Sequence, residues 1–286
     1  AIDPGRVEAA LRADKDRKIK AVLAVFVDTS TGIRNDIPGL RSALDAADHP
    51  ALMMADCIAS MGCDPFEMDA WGVDVTLTGC QKGLMVPPGL AFVFFGAKAR
   101  AAREGLPRVS SYWDWKPRAA PEIFYQYFCG TAPTHHLYGL RTALDMLVHE
   151  EGIRAAWDRH ACLARALWAA FEVWGADGAP LQLNVSDPHL RSHAVTAARL
   201  PQGQATALRR WLEDEAGVTL GIGLGMAEPG DVAWHDFFRV GHMGHVNAQM
   251  MMAVLGSIDA GLKALDVPHG RGALEAASQV IAAGAR

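Results

Sequence analysis

Four short apolar runs, separated by helical or turn-forming stretches, constrain this chain more than any other feature. Lys20–Asp28 (KAVLAVFVD), Pro50–Asp56 (PALMMAD) and Leu90–Phe95 are almost continuously apolar, and Val73–Thr78 (VDVTLT) is apolar at every second position. They are too short for buried helices and read as strands of a sheet covered on both faces. Ile37–Ala47, between the first two, has the spacing of an amphipathic helix. This alternation predicts an α/β fold, a mostly parallel sheet flanked by helices. The longest apolar runs, Ala21–Val27 and Gly89–Gly96, fall far short of the roughly 20 residues needed to cross a bilayer. No membrane partner is expected.

The rhythm breaks at Val109–Pro133, where Trp113, Trp115, Phe124, Tyr125, Tyr127 and Phe128 stand among prolines and a glycine. That stretch reads as a long irregular segment of the kind that carries function. Helical periodicity resumes over Leu137–Glu151 and, after a break at Gly152, over Ile153–Trp174. Strands are expected at His193–Leu200 and Asp236–Val240, and helices at Gln204–Glu215, Val246–Leu265 and Ala273–Ala283. The expected division is a large domain over residues 1–150 and a smaller C-terminal α+β domain over residues 151–286. Trp157, Leu167, Trp168, Phe171 and Trp174 recur at helical spacing, which marks a core face. The 27 Lys and Arg against 32 Asp and Glu give a net charge of −5, which disfavours nucleic acid as a main partner. The five cysteines include no C-x-x-C pair. They suit a reducing cytoplasm better than a disulfide framework or a zinc site.

Sites in α/β sheets gather at the carboxyl ends of strands. Three strand ends here are polar: Asp28-Thr29-Ser30-Thr31-Gly32, Asp56-Cys57, and Thr78-Gly79-Cys80-Gln81-Lys82-Gly83. Asp56 directly after an apolar strand needs a cationic partner if it is buried. On spacing alone, Asp56 and Lys82 are as readily a structural ion pair as a reactive site.

Taken together, Ala55–Ser60 (ADCIAS), Thr78–Leu90 (TGCQKGLMVPPGL), Ser30-Thr31-Gly32 and Phe238–Gly244 (FRVGHMG) resemble the class V aminotransferases. These are fold-type I enzymes of pyridoxal 5′-phosphate (PLP), and the resemblance is to their serine/alanine–glyoxylate subgroup. Asp56 and Lys82 are 26 residues apart, as the matching pair is in the family. The resemblance implies Lys82 as the Schiff-base lysine and proton shuttle, and Asp56 as the carboxylate facing the pyridine nitrogen. It implies Arg239 as the fork for the substrate carboxylate, and Thr29 on the phenolic edge of the cofactor. Gln81 is expected on the phosphate side, and Thr131 at the phosphate of the neighbouring subunit in a homodimer with its active site at the interface. Cys57 and Cys80 stand where the family usually has serines, and Phe128 where it has a tyrosine. The resemblance starts inside the family's large domain, after its Gly-rich phosphate loop. Taken by itself the chain is therefore expected to bind PLP weakly and to turn over slowly.

The function implied is transamination between serine or alanine and glyoxylate or pyruvate. The alternatives are another PLP reaction on the same scaffold, a lyase or a pyridoxamine–pyruvate transaminase, and a silent module for dimerisation or binding. His242 and His245 lack a third ligand nearby, so no metal is expected, and His242 is placed beside the substrate pocket. His135-His136 read as ordinary helix-start residues, and Gly221-Ile222-Gly223-Leu224-Gly225 as a turn.

Overall fold

The computed structural model describes residues 1–228 and 230–284. Helix α1 (Pro4–Ala13) starts behind Asp3, whose side chain accepts the Gly5 N–H, with proline in the first turn. Strand β1 (Ala21–Val25) leads through a turn to α2 (Ile37–Ala46), capped in the same way by Asp36 and a first-turn proline. Strands β2 (Leu52–Asp56), β3 (Val75–Gly79) and β4 (Ala91–Phe95) follow. They form a sheet in the order β1-β2-β3-β4, whose first two pairings are parallel and whose last is antiparallel. Helix α3 (Ala97–Glu104) follows, and the single-turn α4 (Lys116–Ala119) and a 3₁₀ turn at Phe124–Tyr127 punctuate the otherwise irregular Val109–Pro133.

Helix α5 (Thr134–Leu144) runs into a π-helical turn, Asp145–Glu151. Gly152, at φ +85°, ends it and starts α6 (Ile153–Trp174), the break that the sequence predicts. A second, wholly antiparallel sheet follows, built from β5 (Gln182–Leu183), β6 (Val195–Arg199), β7 (Gly221–Ile222) and β8 (Phe237–Gly241) in the order β5-β6-β8-β7. Helices α7 (Gln204–Ala216), α8 (Ala248–Ala264) and α9 (Ala273–Gly284) complete the described chain. None of its helices is long and apolar enough to cross a membrane.

Two apolar cores follow from the alternation of side chains. Leu11, Ile37, Leu40 and Leu44 of α1 and α2 pack on Ala24, Met53 and Ala55 from one face of the first sheet. Leu167, Trp168, Phe171 and Trp174 of α6 pack on Phe238 and Val240 of β8 and on Leu255 and Ile258 of α8. Burying Phe171 completely contributes about 1.5–3 kcal/mol; the stripe from Leu167 to Trp174 forms the core face that the spacing implies, whereas Trp157 is half-buried outside it.

Two expectations need correction. The first sheet is covered on one side of β1 only: Ala24 faces the helices, whereas Leu23 is 72% and Val25 43% exposed. Continuous apolarity implies two buried faces, but α1 and α2 both lie on the same side. The glycine string at 221–225 is a strand before it is a turn. Gly221 and Ile222 pair with Arg239 and Phe238, and an added Cβ on Gly221 would come within 3.2 Å of the Arg239 side chain. Glycine here permits a close strand approach.

Candidate active site

Asp56 ends β2 with Val25 on one side and Leu77 on the other. Paired residues share a face, so the Asp56 carboxylate lies on the side away from α1 and α2, where Val25 is exposed. Its Oδ1 accepts the Ile58 N–H at 2.8 Å, which fixes the carboxylate and leaves Oδ2 for a ligand. Cys57 beside it is fully buried, and burial pushes its thiol up to about 12. It is therefore no nucleophile at neutral pH.

Lys82 follows β3 in a tight turn closed by the Met85 N–H on the Lys82 carbonyl and the Val86 N–H on the Cys80 carbonyl, each 3.0 Å. Gly83 must be glycine, because a Cβ there would lie 2.0 Å from the Met61 carbonyl oxygen. Lys18, Lys98, Lys116 and Lys263 all pair with carboxylates. Half-buried Lys82 forms no salt bridge among the described residues. The structure thus does not join Asp56 and Lys82 as a structural ion pair; it leaves both groups available at neighbouring strand ends.

Arg239 on β8 reaches across to the first sheet. Its Nε donates to the Ile222 carbonyl at 2.7 Å and its Nη1 to the Thr29 carbonyl at 2.8 Å. Two members of the expected site are thereby in direct contact, and the outer edge of the guanidinium is left to meet an anion. Burial pulls its pKa below the ordinary arginine value and Arg209 adds to this, while Asp28 opposes it. The Thr29 turn is itself over-determined: Asp28 accepts from the Ser30 N–H and the Thr31 hydroxyl, and Asn184 donates to the Thr31 carbonyl.

Gln81 is exposed and folds back over Gly79, where an added Cβ would meet its Oε1 at 2.5 Å. Thr131 is exposed before α5, and no hydrogen bond joins it to the other candidates among the described residues. Phe128 packs edge-on against Phe124 at 5.9 Å between ring centroids. His136, read from sequence as an ordinary helix-start residue, donates through Nε2 to the Pro88 carbonyl at 3.1 Å. It ties the Thr131 segment to the loop after Lys82. Adjacent histidines at a helix start give no sequence signal for such a contact.

His242 is misplaced by the sequence reading. It is fully buried, donating from Nδ1 to the His193 carbonyl and accepting at Nε2 from the Thr196 hydroxyl, which in turn accepts from Trp168 Nε1. Every ring position is committed to the protein interior, so none faces substrate. A cavity of about 620 Å³ lies toward the other end of the first sheet, lined by Leu52, Met54, Val75, Trp113 and Trp115, and includes none of the candidate residues. No cluster of three or more metal-ligating side chains occurs among the described residues.

The carboxylate of Asp56 and the amine of Lys82 thus stand at neighbouring strand ends of the first sheet, and Arg239 of the second sheet is anchored to the Thr29 turn. The class-V aminotransferase family model matches residues 2–249. The chain belongs to the class V aminotransferases. It is 38% identical to a serine–glyoxylate aminotransferase of Methylorubrum extorquens, over 96% of this chain and 67% of that protein. An L-aspartate–glyoxylate aminotransferase of Paracoccus denitrificans is 35% identical, over 96% of this chain and 66% of its own length. The chain thus spans about two thirds of these relatives. Among solved structures, a pyridoxamine–pyruvate aminotransferase of Mesorhizobium loti superposes with a TM-score of 0.85 at 27% identity, over 99% of this chain and 69% of that one. These matches bear out the expected family and the fold-type I α/β architecture.

Proposed function

We propose that this class V aminotransferase transfers an amino group from serine or alanine to glyoxylate or pyruvate, using PLP. Family members are PLP-dependent, and the residues present fit that cofactor's chemistry. PLP supplies an electron sink that makes the α-hydrogen of an amino acid acidic. The rest is assigned to this chain. Lys82 carries the cofactor and, once released, takes the proton from the substrate Cα and returns it on the cofactor side. Asp56 keeps a proton on the pyridine nitrogen by remaining a carboxylate beside it. Arg239 holds the substrate carboxylate through its outer N–H groups. Thr29 and Gln81 contact the cofactor's phenolic and phosphate sides, and Thr131 serves the phosphate of a partner subunit in a homodimer. Residues 1–150 form the cofactor-binding unit and residues 151–286 the unit that brings Arg239. Five free thiols accord with a cytoplasmic location.

The observation that carries this reading is the Lys82 amine, without a salt bridge among the described residues, set one strand from an open-faced Asp56. The likeness to a pyridoxamine–pyruvate aminotransferase supports a second reading, in which pyridoxamine is the donor. The test is spectroscopic first: PLP added to the protein should give a visible band that borohydride abolishes, leaving a covalent adduct on Lys82. Turnover with serine, alanine, aspartate and pyridoxamine then ranks the donors. An adduct on another lysine, or none, overturns the proposal.

A further inference from the structure

The Lys82–Met85 turn rests against a residue from the second half of the chain. Gly244, at φ +86°, lies so close that an added Cβ would stand 2.9 Å from Met85 Cγ and 3.6 Å from the Lys82 carbonyl oxygen. Met85 itself is held at φ +59°, a conformation that a side-chain-bearing residue keeps only when its surroundings enforce it. On the other side Gly83 is pressed on the Met61 carbonyl, and Leu84 packs with Leu147 and Ala156. Gly244 is the remaining wall.

Two consecutive residues of α6 fix that wall from opposite ends of the same residue. His160, buried, accepts the Gly244 N–H at Nε2 (3.1 Å), and its Nδ1 donates to the Ala156 carbonyl (2.6 Å). Arg159 Nη1 donates to the Gly244 carbonyl (2.9 Å) and to the Val246 carbonyl (2.8 Å). Its Nε and Nη2 form a bidentate pair with Glu151 at 2.6 and 2.9 Å. The guanidinium thus spans a carboxylate and two carbonyls, a geometry that lysine cannot reproduce. Glu151 closes the π-helical turn just before Gly152, so the pair also staples the start of α6 to the segment before it.

We propose that Arg159, locked by Glu151, is a positioning residue for Lys82: with His160 it holds Gly244 as the backstop that sets the height of the Lys82 turn. This rests on the reading of Lys82 as the cofactor-bearing lysine. Arg159 touches neither substrate nor cofactor in this role; it acts through backbone.

The test starts without cofactor. Amide hydrogen exchange of Met85 and Val86 reports the two bonds closing the turn. Arg159→Met should speed both by about tenfold or more, as expected when local opening becomes easier by one charge-assisted bond. Amides of β1, β2 and α9 should keep their parent rates. Arg159→Lys keeps charge and stem, so it serves if the methionine variant fails to fold, and it should show the same loosening. In the PLP-loaded protein, the pH midpoint of the visible band should shift. The value of kcat should fall by about a hundredfold, as a displaced reacting group does, with KM nearly unchanged. Parent-like protection at Met85 and Val86 would overturn the proposal, as would acceleration spread evenly over the whole protein. If the parent gives no adduct at Lys82, the functional reading fails, while the exchange data still judge the backstop.

Discussion

At the residue scale, the site depends on a few side chains whose chemistry is not interchangeable. Lys82→Ala removes the one amine proposed to hold the cofactor and move the proton. The borohydride-stable adduct should vanish, and any residual turnover should lie about 10²–10⁴-fold below the parent. The melting curve should hardly change, because the Lys82 amine forms no salt bridge among the described residues. Peptide mapping of the reduced protein checks the adduct. Arg239 gives a different signature, since its contribution is to binding. Arg239→Lys keeps one positive charge but loses the fork that also bonds the Ile222 and Thr29 carbonyls. A lost charge-assisted bond is worth about 1.5–3 kcal/mol, so KM for the oxo acid should rise by about ten- to a hundredfold while kcat changes less. Initial-rate kinetics separate the two, and an unchanged KM would remove Arg239 from the carboxylate site.

At the element scale, the strands were legible as short apolar runs between polar residues, and the long helices through the period that a packed face imposes. Lys20–Asp28 became β1 and Ile153–Trp174 became α6, the first marked by its apolar run and the second by its aromatic stripe. What escaped the sequence lay in contacts without periodicity. The two-residue strands β5 and β7 are too short to show one, and His242 looks the same in a sequence whether its ring meets substrate or Thr196. The reach of Arg159 to Gly244, 85 positions away, leaves no local trace either. Within the site, the Gln-Lys-Gly and Pro-Pro-Gly segment was legible as a motif, and its glycine has a steric reason. Gly83→Ala would place a methyl group 2.0 Å from the Met61 carbonyl oxygen and 2.9 Å from Cys63 Sγ. Neither neighbour can yield: one is backbone and the other a fully buried side chain. Overpacking of this kind costs about 1–3 kcal/mol. The urea midpoint should fall accordingly, and a parent-like midpoint would show that the turn can shift.

At the scale of the whole molecule, the two sheets are joined by buried polar groups as well as by packing. Asp64, from the first half, accepts the Ser192 hydroxyl at 2.9 Å and the His193 N–H at 3.0 Å, with Arg34 at 3.6 Å and the His193 ring at 3.4 Å. His193 passes its carbonyl to His242, and His242 continues the chain through Thr196 to Trp168. This arrangement works only with His242 neutral, because Nε2 must accept from the Thr196 hydroxyl. Burial drives its pKa from 6.5 down to about 3, with His160 and His193 adding to the depression and the His193 carbonyl opposing it. His160 and His193 are themselves depressed by burial, although Asp64 pulls both the other way. The sign follows from proton counting. Between about pH 6.5 and 3 the unfolded chain binds protons that folded His242 refuses, so stability is full above about 6.5 and is lost as the pH falls through that window. The slope from one such group is at most about 1.4 kcal/mol per pH unit. His242→Gln offers a neutral side chain that can both donate and accept. It should be less stable than the parent at neutral pH but lose stability less steeply on acidification, so that the two curves converge. Urea unfolding across the window measures both slopes, and parallel curves would mean that His242 does not set the acid limit of this fold.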